Sequence, residues 1–120
     1  MLGGGEKRAR YGFGAERRLA KRSDFERLLR QGARRSRGGI TLFVAPRHPA
    51  APARLGILIT RKHAAKATVR NQIKRCIREA FRLEQGRLGP FDVLVRPPYG
   101  ARPGPALQHR LRAMLAELGS

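Results

Sequence analysis

The pattern of apolar and polar positions predicts a short amphipathic helix near the start of the chain. The segment SDFERLLRQG places its apolar residues on one helical face, at Phe25, Leu28 and Leu29. Ser23, followed three residues later by Glu26, has the form of a capping box, and Gly32 is a typical helix stop. We therefore expect a helix here with one buried side.

Three β-prone segments follow: ITLFVA at 40–45, RLGILIT at 54–60 and FDVLV at 91–95. In the first, Ile40, Leu42 and Val44 face one way, while Thr41, Phe43 and Ala45 face the other. The Pro-rich stretch PRHPAAPA interrupts the first two segments, so we expect these two strands to pair as an antiparallel hairpin.

A longer amphipathic helix is predicted over residues 67–84, ending before Gly86. At about 100° per residue, one stripe is apolar: Val69, Ile73, Cys76, Ile77 and Ala80, with Phe81 at its edge. The neighbouring arc is polar and basic: Arg70, Asn71, Lys74, Arg75, Arg78 and Arg82. A last helix is indicated by Leu107, Leu111, Met114, Leu115 and Leu118, ended by Gly119.

The charge of the chain changes the interpretation of that basic arc. The 120 residues include 27 Lys and Arg against 8 Asp and Glu, a net charge of +19, which calls for a polyanionic partner, either nucleic acid or an anionic membrane face. A merely solvated helix usually mixes signs to form i,i+4 pairs. Here the arc contains no acid, and its i,i+4 spacing sets cations about 6 Å apart, close to the phosphate spacing of a nucleic acid. Nucleic-acid binding is therefore predicted, and Phe43 beside the basic helix favours single-stranded RNA.

Other features exclude several classes of protein. No apolar run reaches the roughly 20 residues that span a bilayer, and MLGGGEKRAR lacks the apolar stretch of a secretory signal. The single Cys76 excludes an internal disulfide and a Cys-based zinc finger. We expect a cytoplasmic protein with a flexible basic tail at 1–16 and one RNA-binding domain at 17–119.

The residue types that carry catalysis or bind metals are scattered. Asp24 and Glu26 suit a helix start, and Asp92 is expected at a strand edge. The histidines, His48, His63 and His109, have no ligand spacing. Cys76 lies on the apolar stripe and is interpreted as a small buried hydrophobe. We therefore expect neither catalytic residues nor a metal site in this chain.

The segment RLGILITRKHAAKATVRNQIKRCIREAFR resembles the signature of the bacterial ribonuclease P protein component family. That signature is a strand ending in two basic residues, a short loop, then Arg-Asn-Arg-x-x-Lys-Arg-x-x-Arg-Glu-x-Phe. The matching residues are Arg61, Lys62, Arg70, Asn71, Lys74, Arg75, Arg78, Glu79 and Phe81. The likeness extends over about residues 13–118, but Gln72 replaces a basic residue and Leu29 replaces an aromatic residue found in some members.

The resemblance implies an α+β fold, an α/β sandwich of the ribosomal protein S5 domain 2-like type. Its small mixed sheet carries a central basic helix, and the βαβ crossover around that helix is left-handed. General packing rules would predict the opposite hand, since roughly 98% of such connections are right-handed.

The resemblance also implies a function as the protein subunit of ribonuclease P, an endonuclease whose catalytic centre lies in its RNA subunit. That RNA, with Mg²⁺ bound mainly by RNA and substrate, removes the 5′ leader of precursor tRNA. We expect one protein per RNA and no membrane partner. The expected contacts to the RNA subunit are Arg61, Lys62, Lys66, Arg70, Asn71, Gln72, Lys74, Arg75 and Arg78. The expected leader-binding cleft comprises Phe13, Arg17, Arg18, Phe25, Phe43, Leu58 and Thr60.

Two of these aromatic residues have a second interpretation, because Phe25 and Phe43 could each belong to a core instead of stacking on bases. Other functions also remain open at this point. They are a small rRNA-binding ribosomal or assembly protein without a role in tRNA processing, a nucleoid protein that prefers duplex DNA, and a nuclease that cleaves without RNA.

Overall fold

The structure is a computed structural model that describes residues 18–19 and 21–118. Its helices are α1 (Arg22–Gln31), α2 (Ala67–Glu84) and α3 (Pro105–Leu118), and its strands are β1 (Ala33–Arg37), β2 (Ile40–Pro46), β3 (Arg54–Ile57) and β4 (Phe91–Arg96). The predictions for the tail, for Phe13 and Arg17, and for the helix end at Gly119 lie outside the described residues. None of the helices in the described part is long and apolar enough to cross a membrane.

The four strands form one mixed sheet in the order β1-β2-β4-β3. The hairpin is β1–β2, closed by Gly38 and Gly39 at φ 59° and 84°, a backbone conformation that suits a two-residue turn between strands. The predicted hairpin of 40–45 with 54–60 is therefore wrong. β2 pairs with β1 and β4, while β3 pairs in parallel with β4 and ends at Ile57.

The parallel pairing of β3 with β4 requires a crossover connection, and α2 provides it. The α+β class, the mixed sheet and the basic helix at its centre are confirmed. The left-handed crossover stays a prediction from the resemblance.

Each face of the sheet has its own core. On one face, residues of β2 such as Ile40 and Leu42 join the apolar stripe of α2 and the buried leucines of α3. On the other face, α1 packs through Leu28 against Phe43 and Leu94, with Leu19 beside them. α1 and α2 therefore lie on opposite faces of the sheet.

The start of α1 differs from the prediction. The helix begins at Arg22, its N-cap is Lys21, and no side chain caps it. Glu26 does not form a capping box but accepts a 3.2 Å hydrogen bond from Arg22 Nε. Glu26 therefore pairs with the charged side chain four residues before it and not with the backbone N–H that a capping box would use.

Two other residues differ from expectation. Cys76 is half-buried and not fully buried as expected, and Gly104 N lies 3.3 Å from its sulfur. Asp92 is not at an edge. It lies in β4, between β2 and β3, and only 2% of its surface is exposed.

Candidate nucleic-acid interface

The basic arc of α2 forms an exposed ridge above a fully buried stripe. Ile73, Ile77 and Phe81 are each 0% exposed, so they fix the face that the helix turns to solvent. Asn71, Gln72, Arg75 and Arg78 are exposed and Lys74 is half-buried. We call the cations Arg70, Lys74, Arg75 and Arg78 the α2 ridge.

Arg70 has a structural contact as well as its place on the ridge. Its Nη1 donates to the carbonyl oxygens of Ala64 and Ala65, both at 2.9 Å. The guanidinium therefore fixes the loop that carries the other predicted contacts, the exposed Arg61, Lys62 and Lys66. The structure brings this loop and the ridge together at the start of α2.

The α2 ridge meets the predicted leader cleft at a second surface. A cavity of about 160 Å³ is lined by Arg18, Leu19, Phe25, Leu55, Gly56, Ile57, Lys74 and Arg78. Arg18 and Phe25 come from the predicted cleft, while Lys74 and Arg78 come from the ridge. Thus the predicted leader cleft and the α2 ridge, which the sequence analysis treated as separate surfaces, adjoin each other.

The local backbone makes this approach possible. Leu19 N donates to Leu55 O at 2.9 Å, which holds the segment before α1 along β3. A Cβ at Gly56 would lie 3.0 Å from Leu19 Cβ and 3.1 Å from Phe25 Cε1, so glycine permits the close packing of this segment.

The electrostatics of this cavity favour an anion. Partial burial and the positive charge of Arg18 lower the pKa of Arg78. Among the residues that line the cavity, three are cationic and none is acidic. A phosphate placed there would relieve the repulsion between these cations.

Phe43 does not have the exposed ring that a base-stacking residue needs. It is 1% exposed, and the guanidinium carbons of Arg34 and Arg96 lie 5.2 and 5.3 Å from the ring centroid. Its neighbours in the second core explain the burial, because α1 covers the strand at this position. The stacking interpretation of Phe43 is therefore corrected to the core interpretation. Phe25 is half-buried at the margin of the same core.

The same sheet face contributes polar groups that the sequence analysis missed. Thr41 Oγ1 lies 3.1 Å from Ser36 Oγ and accepts a 3.5 Å hydrogen bond from Arg96 Nη2. Arg34, from the unpredicted strand β1, covers Phe43 beside them. The pairing of β1 with β2 brings these residues together, and no local sequence pattern predicts this pairing. Leu58 and Thr60 lie farther along, in the loop after β3.

Asp92 holds α1 over this face. Its carboxylate accepts hydrogen bonds from Arg27 Nη2 at 2.8 Å and from Arg54 Nε and Nη2 at 2.8 and 2.9 Å, and Arg47 Nε lies at 3.4 Å. Burial alone would raise the pKa of Asp92, but hydrogen bonds from Arg54 and Arg27, with the charge of Arg47, bring this pKa below its ordinary value. The carboxylate is therefore ionised and structural.

In the part of the chain that the structure describes, no three His, Cys, Asp or Glu side chains converge as a metal-binding group. The remaining buried carboxylate, Glu84, accepts a 2.8 Å hydrogen bond from Arg112 Nε and so joins α2 to α3.

Comparison with known proteins identifies the family of this chain. The Ribonuclease P family model matches residues 13–119. The ribonuclease P protein component of Bordetella petrii is 40% identical over 104 residues, which are 82% of each chain. That of Methylococcus capsulatus is 41% identical over 85 residues, 71% of this chain and 66% of the relative.

Solved structures share the fold. The RNase P protein from Thermotoga maritima superposes with a TM-score of 0.69 at 29% identity, covering 83% of this chain and 96% of that one. A Staphylococcus aureus RNase P protein gives a TM-score of 0.70 at 24% identity, with 85% and 91% covered. The family match over almost the whole chain and the shared fold lead to one conclusion: this chain belongs to the ribonuclease P protein component family.

Proposed function

We propose that this chain acts as the protein subunit of ribonuclease P and assists removal of the 5′ leader from precursor tRNA. The α2 ridge and the loop at Arg61, Lys62 and Lys66 bind the RNA subunit. The surface between α1 and the sheet binds the single-stranded leader. The catalytic centre lies in the RNA subunit, with one protein for each RNA.

One observation carries this proposal beyond family membership. The cavity shared by Arg18, Phe25, Lys74 and Arg78 joins the ridge to the cleft, so one protein can contact two RNA chains at adjacent places. Cations between two polyanions reduce their mutual repulsion, which is the task of a helper subunit.

Mg²⁺ belongs to the proposal as an ion held mainly by the RNA subunit and the substrate. It supplies the metal-assisted phosphodiester chemistry and also screens phosphate repulsion. Because the protein contributes to the same screening, its effect on substrate binding should be largest at low Mg²⁺ concentration and should shrink as Mg²⁺ rises.

The test is cleavage of precursor tRNA by the RNA subunit at low Mg²⁺, with and without this protein. We expect faster cleavage at the mature 5′ end with the protein present. Cleavage by the protein alone would contradict the assignment of catalysis to RNA. No effect on cleavage at any Mg²⁺ concentration, together with tight binding to rRNA, would favour a ribosomal or assembly role instead.

A further inference from the structure

A cavity lies beyond the predicted cleft, between the loop after β3 and the turn after β4. Its volume is about 560 Å³, and it is lined by Leu58, Thr60, Arg61, Lys62, His63, Arg96 and Tyr99. We call it the Tyr99 pocket. Leu58 and Thr60 belong to the predicted leader cleft, so the pocket continues that surface towards a turn that the sequence analysis left without a function.

Tyr99 is an exposed aromatic residue on an anchored turn. It is 70% exposed, far more than Leu29 at 39% or Leu83 at 38%. The next residue, Gly100, has a φ of 74°, and its N–H donates to His63 O at 2.9 Å, which anchors the turn. The ring meets that of His63 edge-on, with centroids 4.9 Å apart. An aromatic ring that is exposed to water on an anchored turn is available for stacking.

His63 supplies a buried donor beneath that ring. Its Nδ1 lies 2.9 Å from Thr60 N, and because a backbone N–H only donates, Nδ1 must accept. The neutral imidazole therefore carries its proton on Nε2. That atom is buried and has no hydrogen-bond partner among the described residues, although the side chain lines the pocket. A buried N–H without an acceptor is unfavourable, so a ligand acceptor would stabilise this arrangement.

The charge of the pocket specifies the type of ligand. Arg61, Lys62 and Arg96 are among its lining residues, and no acidic residue is. Arg61 and Lys62 are exposed at its rim, where they can reach a phosphate. An exposed aromatic face beside cations is the combination that binds single-stranded nucleic acid.

We propose that the Tyr99 pocket binds one unpaired nucleotide of the precursor tRNA leader, which rests on the function proposed above. The base stacks on Tyr99. Its phosphate lies against Arg61 or Lys62, where the leader surface borders the loop proposed to bind the RNA subunit. An acceptor on the base edge takes the Nε2 proton of His63. Since Nε2 is closed off from solvent in the unbound protein, this hydrogen bond requires a local side-chain movement when the base enters.

The composition of the chain allows a direct test by fluorescence. It contains two tyrosines and no tryptophan, so Tyr11→Phe leaves Tyr99 as the only strong intrinsic fluorophore. A short single-stranded RNA with a leader sequence should quench this emission saturably, because a stacked base quenches tyrosine. Unchanged emission at saturating RNA would overturn the stacking contact.

Binding measurements on the complex with the RNA subunit then test how much the Tyr99 pocket contributes to the affinity for precursor tRNA. Tyr99→Ala should weaken binding of precursor tRNA about tenfold, whereas Tyr99→Phe, which keeps a stacking ring, should stay within about twofold. His63→Asn keeps an acceptor for Thr60 N but removes Nε2, and should cost about threefold. Arg102→Ala is the matched control, since it changes an exposed residue of the same loop that lines neither this cavity nor its neighbour.

Mature tRNA, which lacks the leader, separates the two proposals. If the unaltered complex prefers precursor tRNA but Tyr99→Ala binds it as tightly as Tyr99→Phe, the pocket proposal fails and the proposed function stands. Equal losses for precursor and mature tRNA would also overturn the assignment of the pocket to the leader. If the unaltered complex shows no preference for precursor tRNA, leader binding itself fails and the pocket proposal fails with it.

Discussion

Arg27 Nη2 in α1 lies 2.8 Å from Asp92 Oδ2 in β4, and the side chain of Asp92 is only 2% exposed. The same carboxylate also accepts two hydrogen bonds from Arg54 in β3. One buried charge therefore joins α1 to the two strands beneath it. The position of α1, and with it the width of the proposed leader cleft, depends on this contact.

Replacing Asp92 by Asn should destabilise the fold. The change keeps the shape of the side chain but leaves the cations around it without a counter-charge, and breaking such a buried pair costs about 3 kcal/mol. Urea unfolding followed by circular dichroism measures the loss. Glu26→Gln is the control, because its pair with Arg22 is exposed and should be worth less than about 1 kcal/mol. Equal losses in the two variants would contradict a special role for Asp92.

The same residue predicts how stability depends on pH. The pKa of Asp92 is lower in the folded protein than in the unfolded chain, where an Asp side chain has a pKa of about 3.9. Its contribution is therefore fully present above that value and is lost as the pH falls through the lower, folded pKa. Unfolding free energies measured from pH 6 downwards should fall less steeply for Asp92→Asn than for the unaltered protein. Parallel curves would show that other carboxylates govern acid unfolding.

Removing the charges of the α2 ridge should weaken RNA binding and reduce its salt dependence. The triple change of Lys74, Arg75 and Arg78 to Ala spares Arg70, which holds the preceding loop. Each lost phosphate contact lowers the log–log salt slope by about one. For this triple variant, the slope of the logarithm of the binding constant against the logarithm of salt concentration should therefore fall by about two to three units.

The control for that experiment removes the same charge elsewhere. Arg35, Arg87 and Arg102 are exposed and lie outside the ridge. Their joint replacement by Ala should leave most of the slope intact. If both triple variants lose the same slope, binding depends on total charge and not on the ridge.

The two aromatic residues of the predicted cleft should behave differently. Phe43→Ala removes a ring that is 1% exposed and should cost about 3–5 kcal/mol of stability, with equal effects on precursor and mature tRNA binding. Phe25 is half-buried and lines the cavity at Arg18 and Arg78. Phe25→Ala should therefore weaken precursor tRNA binding selectively, at a smaller cost in melting temperature. A leader-selective loss in Phe43→Ala would restore the stacking role that its burial contradicts.

The two longer helices, α2 and α3, were predictable because each carries a long periodic signal. The stripe from Val69 to Phe81 gave both the helix and its buried face, and the bounds of 67–84 agree with α2. The leucines of α3 likewise predicted both that helix and its buried face. In each case the burial of a side chain follows from its position on its own helix.

The sheet was less predictable, because its pairing depends on residues far apart in the sequence. β1 reads ARRSR and is exposed throughout, so it lacks the alternation that marks a half-buried strand. Missing it left β2 with the wrong partner. The same error hid Arg34 and the cover that it gives to Phe43. The partners of Asp92 could not be predicted from the sequence either, since they come from three separate segments.

The position of β4 between β2 and β3 also governs the order in which the chain can fold. β2 and β3 both emerge before β4 during synthesis, yet they do not pair with each other, and β4 is the strand that joins them. Until residue 96 is available, the chain has the β1–β2 hairpin and separate helices, with the apolar stripe of α2 lacking its full cover. Closing both strand pairs by one late segment is a non-local step, and such steps slow folding. We therefore expect the sheet to be completed only at a late step, on which both the cleft on one face and the buried side of α2 on the other depend.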